Sequence, residues 1–292
     1  MLINDSNTAK PNRKPYVFTL VSGKGGVGKT NTACNLAILL ANRGVRVLVF
    51  DADMSLANVD VLFGLVPRLT VKEVLETRGN LRDIVVEGPA GISIIPSASG
   101  APNMAELPQE AATWLREKLE ELMADFDFVL IDAPSGIAEN VQWVMKMANE
   151  VLLVTTPEPT AVTDAYAVAK LFSTSRPLLP IKLIVNMISD FDAGERISTG
   201  FGEMALRFLN RKIETIAKLP YDPHVLQAVR KQQPYTLYYP KCPATYALRM
   251  LAIRLMDIRS AAEKKTGGEL ANAGWLTSGD NRLANLFRDG LT

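Results

Sequence analysis

The chain has 292 residues, 48% of them hydrophobic, with 32 basic and 31 acidic side chains. That length is enough for one α/β domain with a buried core, and a net charge of +1 offers no global field to nucleic acid or anionic lipid. Two cysteines (Cys34, Cys242) and a single histidine (His224) exclude a disulfide framework, a zinc site and any Ser-His or His-metal cluster.

The polar opening "MLINDSNTAKPNRK" (1–14) lacks the apolar core of a signal peptide and reads as a flexible arm. "YVFTLVS" (16–22) is an apolar strand, followed by a glycine-rich loop and a helix over 29–43 that ends at Gly44, a suitable C-cap. Further strands are expected at 45–51, 92–97, 128–132, 151–156, 181–186 and 213–220, with helices at 108–124, 137–148, 160–173, 200–210 and 241–259. Most of these strands are apolar throughout and do not alternate, which is how parallel strands covered on both faces read. The alternation of strand and helix predicts an α/β fold, a doubly wound, mostly parallel sheet flanked by helices. "KKTGGE" (264–269) reads as a linker, so residues 15–260 form the main domain and 261–292 a linker and tail. No apolar run approaches the ~18 residues of a membrane span, and the expected location is cytoplasmic.

The loop "SGKGGVGKT" (22–30) fits G-x4-G-K-[ST] from Gly23. In such a loop the backbone N–H groups of Gly23, Lys24, Gly25, Gly26, Val27 and Gly28 close around phosphates, and Lys29 reaches the β/γ oxygens. Thr30 offers a hydroxyl to Mg2+, and Asn31 stands beside it in the first turn of a helix whose dipole favours the anion. Asp51, Asp53 and Asp132 stand at or just past strand ends, where ligands sit in such sheets. A carboxylate there can hold Mg2+ through water or position an attacking water. The guanine-reading Asn-Lys-x-Asp is missing, since Asn186-Met187-Ile188-Ser189 follows "IKLIV". Asn186 can still pair with an adenine edge, because its amide both donates and accepts. ATP with Mg2+ is therefore the expected ligand. Lys24 has no place in that chemistry.

"KGGVGKT" with its early lysine, "DADMSLANVDVLFGL" and "EPTAVTDAYAVAKL" together resemble the MinD/ParA family of P-loop ATPases with a deviant Walker A motif. Within it they are most similar to flagellar-number regulators of the FlhG/FleN type, over about residues 15–258. The resemblance implies a P-loop NTPase fold of the SIMIBI type and slow ATP hydrolysis coupled to homodimerisation. It implies a switch that regulates flagellar number or placement. It also gives Lys24 a catalytic role, reaching across an ATP-sandwich dimer to the partner's phosphates alongside Lys29. By the same carry-over Asp53 positions the attacking water, Asp51 and Asp132 support Mg2+ through water, and Asn186 reads the adenine with backbone near Pro220 and Asp222. Implied partners are an FlhF-type GTPase, a FleQ-type transcription activator or switch-complex proteins. Two departures stand out. Ser135-Gly136 replaces the usual Ala-Gly after Asp132, and the arm lacks the Asp-Gln-Ala motif through which flagellar members stimulate the GTPase. A MinD-like division-site positioner and a ParA-like DNA-binding partition protein stay open as alternatives. The near-neutral charge argues against the second, and against nucleic acid as a partner.

In "NRLANLFRDGL" (281–291), Leu283, Leu286, Phe287 and Leu291 fall at i, i+3, i+4 and i+8, one apolar stripe if helical. MinD-type relatives use a similar tail to lie on a membrane, which implies weak inner-membrane binding, at the cell pole or elsewhere, in the ATP state. Docking of the stripe on the protein's own core is the competing reading.

Overall fold

The computed structural model describes residues 14–53, 58–97, 107–137 and 139–273. Its first half runs β1 (Tyr16–Ser22), α1 (Lys29–Ala41), β2 (Val47–Asp51), α2 (Val59–Phe63), α3 (Val71–Thr77), β3 (Val86–Glu87), β4 (Ser93–Ile95), α4 (Gln109–Met123) and β5 (Phe128–Ser135). Then follow α5 (Glu139–Met145), β6 (Glu150–Thr155), α6 (Pro159–Ser175), β7 (Ile181–Ile188), α7 (Phe191–Leu209) and β8 (Glu214–Pro220). Three helices close the order: α8 (Pro223–Arg230), α9 (Tyr235–Tyr238) and α10 (Pro243–Ala273).

All eight strands join one sheet in the order β3-β4-β2-β5-β1-β6-β7-β8. Every neighbouring pair is parallel except β3 with β4. The apolar runs owe their continuity to burial on both faces. Alternate residues (Val17 and Val21, Leu48 and Phe50, Val129 and Ile131, Val151 and Leu153) pack into one cluster with α3 through α7. The residues between them, such as Phe18, Leu20, Val49, Leu130 and Leu152, are buried too. Helix α1 is correspondingly apolar, and Ala33, Leu36, Ala37 and Leu40 are fully buried.

The differences from expectation concern short or glycine-bearing elements. The two-residue antiparallel β3 and the short helices α2, α3, α8 and α9 carry too few turns to show a period. Helix α7 begins at Phe191, well before the expected start at 200, because Asp190 caps it by accepting from Ala193 N–H at 2.7 Å. Gly194 interrupts the apolar pattern there for a reason. A Cβ at that position would stand 3.0 Å from Ile188 Cδ1.

Two compact units divide the chain, one through Ala252 and one from Ile253 onward. In the second, α10 continues to Ala273, and Arg259 pairs with Glu263 one turn on. The expected linker at 264–269 is therefore helical. The apolar stripe of Leu283, Leu286, Phe287 and Leu291 lies outside the described residues, as do positions 1–13. No helix among the described residues is long and apolar enough to cross a membrane.

Candidate functional site

The carboxyl ends of β1, β2 and β5 meet at the loop after β1. Parallel register sets Asp51 directly beside Asp132, and Leu20 beside Asp132 on the other side. Between β1 and α1 the chain turns through glycines that the packing requires. Gly28 has φ 85°, and a Cβ on it would lie 2.3 Å from Asn186 Nδ2. A Cβ on Gly23 would lie 2.2 Å from the backbone carbonyl carbon of Asp164 in α6. The loop is thus pinned between α6 and β7.

Two residues at the start of α1 converge on one carboxylate. Lys29 is only 7% exposed, and its Nζ donates to Asp132 Oδ1 at 2.9 Å. Thr30 Oγ1 donates to Asp132 Oδ2 at 2.5 Å. Asp51 is fully buried and takes three backbone donors, from Asp53 N–H (3.1 Å), Asn58 N–H (3.0 Å) and Val59 N–H (3.1 Å). Burial, then the charge of Asp132, push its carboxyl up to about 7, against the pull of those donors. Burial, then the charges of Asp132 and Asp51, hold the Cys34 thiol well above its usual range, and Cys34 is fully buried in α1.

Beside this cluster opens a cleft of about 490 Å3. It is lined by Ser22 and the loop residues Gly25, Gly26, Val27, Gly28, Lys29, Thr30 and Asn31, together with Asp53 and Ser135. Asn58, Val61, Leu62, Met187, Val229 and Gln232 complete the wall. None of these six belonged to the expected site. They come from three separated segments with no shared spacing; Asn58, Val61 and Leu62 lie within "DADMSLANVDVLFGL" and Met187 follows Asn186, while nothing in the sequence signalled Val229 and Gln232.

The three residues expected near the adenine, Asn186, Pro220 and Asp222, do not line this cleft. Asn186 turns its Nδ2 to donate to Val27 O at 2.8 Å, into space that Gly28 leaves by lacking a Cβ, and it braces the loop. Pro220 ends β8 outside the cleft wall, and Asp222 is buried as the cap of α8, accepting from His224 N–H (3.0 Å) and from Ala244 N–H (3.1 Å).

Lys24 also lies outside the cleft wall. It is 41% exposed and donates to Glu158 Oε2 (2.6 Å) and Thr160 Oγ1 (3.2 Å) at the start of α6. An ion pair this exposed is worth about 0–1 kcal/mol. Ser135, at the departure from the usual Ala-Gly, sits 3.4 Å from Ser22 Oγ, and Gly136 N–H donates to Ser22 O at 2.8 Å. The turn after Asp132 is thereby tied to the end of β1.

The donor set suits a hard divalent cation. Thr30, Asp51 and Asp132 offer only oxygen, and among the described residues there is no cluster of three or more His, Cys, Asp or Glu that would cage a metal. Mg2+ is commonly held in this way, by few protein oxygens, waters and substrate phosphates. Of the two adjacent buried carboxylates Lys29 pairs with Asp132, so a cation beside them would balance Asp51 when it is ionised.

Comparison with known proteins agrees with this geometry. Residues 16–177 match the family described as AAA domain. The antiactivator FleN of Pseudomonas aeruginosa is 37% identical over 81% of this chain and 84% of its own length. The flagellum site-determining protein YlxH of Helicobacter pylori is 36% identical over 59% of this chain and 58% of its own. Among solved structures, the septum site-determining protein MinD of Pyrococcus horikoshii, complexed with Mg-ADP, superposes with a TM-score of 0.68 at 25% identity, over 84% of this chain and 98% of that one. With its P-loop strand at the centre of the sheet and its relatives matched over most of their length, the chain belongs to the MinD/ParA family of P-loop ATPases.

Proposed function

We infer that this chain is a nucleotide-driven switch that binds and slowly hydrolyses ATP and regulates the number or placement of flagella. The observation that carries the flagellar reading is the 37% identity to an antiactivator along four-fifths of the chain. The cleft supports the nucleotide reading: a phosphate loop, a buried lysine and a hydroxyl-carboxylate pair stand at one end, and apolar side chains are among its lining.

In this reading Lys29 gives its charge to the β/γ oxygens, and Thr30, Asp51 and Asp132 hold Mg2+, the carboxylates through water. The cation, when bound, offsets phosphate charge. Asp53 lines the cleft next to Asp51 and orients the attacking water. Lys24, which stands outside its own chain's cleft, serves the phosphates of a second copy, where a cation supplied in trans stabilises developing charge. Its exposed pairing with Glu158 is weak enough to be exchanged for a triphosphate. The active form is then a homodimer that forms with ATP and dissociates after hydrolysis. A transcription activator of the FleQ type is the protein partner this reading favours, while an FlhF-type GTPase rests on an arm outside the described residues. Any membrane contact rests on the tail, also outside them.

A MinD-like role in placing the division site is the second reading, favoured by the superposition on MinD. Deleting the coding sequence separates the two. Altered flagellar counts with normal septa support the first; misplaced septa with normal flagella overturn it.

A further inference from the structure

Strands β1 and β5 keep one register from Tyr16 beside Phe128 to Leu20 beside Asp132, and then it shifts, so that Ser22 stands beside Ser135. Two steps along β1 match three along β5, which makes a bulge just after Asp132. Pro134 lies inside it, and a bulge is where a strand tolerates a residue without an N–H. Bulges beside a site re-aim side chains. This one sets Ser135 in the cleft wall together with Ser22. Gly136, at a positive φ of 97°, follows, and its N–H reaches Ser22 O at 2.8 Å.

Ser22 is fully buried, and its hydroxyl joins two segments. It donates to the backbone carbonyl of Lys24 at 3.0 Å and stands 3.4 Å from Ser135 Oγ. Its one proton serves Lys24 O, so the contact with Ser135 is completed by the Ser135 proton. The alanine usual in the family at this position has no such donor. On the other side of the bulge, Asp132 takes Lys29 and Thr30, the two side chains assigned above to phosphate and cation. The bulge therefore stands between the carboxylate that meets the ligand and the hydroxyls that hold Lys24.

We propose that Ser22, assisted by Ser135, is a positioning residue for Lys24: the hydroxyl pair ties the backbone of Lys24 to the turn after Asp132 and so presents that lysine to the second copy. This rests on the role in trans given to Lys24 above. It predicts an effect on turnover and none on the hold of the cleft on nucleotide.

The test uses the full-length protein, with calorimetry of Mg-ADP, which needs no second copy in this reading, and turnover at saturating Mg-ATP. Ser22→Ala removes both hydroxyl contacts; Ser135→Ala, at an exposed position, removes one. Both should bind Mg-ADP as the wild type does, which also shows that they fold. Ser22→Ala should turn over roughly three- to tenfold more slowly, the scale of one net hydrogen bond, and Ser135→Ala roughly two- to threefold. Ser135→Thr keeps the hydroxyl and should run at the wild-type rate. A wild-type rate in either alanine variant overturns this proposal alone, and so does a loss of Mg-ADP affinity as large as the loss of rate. If Lys24→Ala turns over at the wild-type rate, the role in trans and this proposal fall together.

Discussion

Lys29 is 7% exposed and its partner Asp132 is fully buried, so removing either leaves a charge without compensation in a low-dielectric site. Lys29→Ala should lower stability by about 3 kcal/mol and abolish ATP binding, as read by urea denaturation and calorimetry. Thr30 keeps one bond to Asp132 in that variant, which places the loss at the low end for a broken buried pair. Lys24 behaves oppositely because it is exposed. Lys24→Ala should unfold within about 0.5 kcal/mol of wild type, bind ATP through Lys29, and lose hydrolysis. A wild-type turnover rate in that variant would show that the second lysine has no part in the chemistry. Glu158→Gln frees Lys24 from a pair worth at most about 1 kcal/mol, and with two such pairs exchanged per homodimer the dimer affinity should rise by no more than about thirtyfold.

Among the elements, α8 and α10 start from the same carboxylate. Asp222 caps α8 through His224 N–H and takes Ala244 N–H at the start of α10. Burial on its own would raise its pKa, but these backbone donors and His224 win and hold it below the usual 3.8. Such a depressed group contributes stability that is present above the unfolded value and lost as pH falls through the folded one. Asp222→Ala should cost about 1–2 kcal/mol at neutral pH, and the gap to wild type should close as pH drops below 3.8, measured by denaturation across pH. A gap that widens in acid would contradict the capping account. Asp222 before Pro223 is a local signal for the start of α8, but only the fold shows that its oxygens also serve the start of α10. The P-loop, by contrast, was legible because its glycines, Lys29 and Thr30 act within one loop. So were the central strands, whose double burial shows as uninterrupted apolar runs. Met187, Val229 and Gln232 were not, because they converge on the cleft from ends of separate elements and share no period.

For the molecule, base choice and assembly are the properties that make a switch. Mg-ATP should bind well ahead of Mg-GTP, since the guanine-reading lysine is absent after Asn186; equal calorimetric affinities would end the adenine assignment. Hydrolysis must also change the particle itself. The most direct measurement is light scattering of the full-length Asp53→Ala protein, whose turnover should be blocked, in saturating Mg-ATP and in Mg-ADP. A mass of two chains with ATP and one with ADP is the predicted result, with the Lys24→Ala protein at one chain in both. The same mass under both nucleotides would contradict the account.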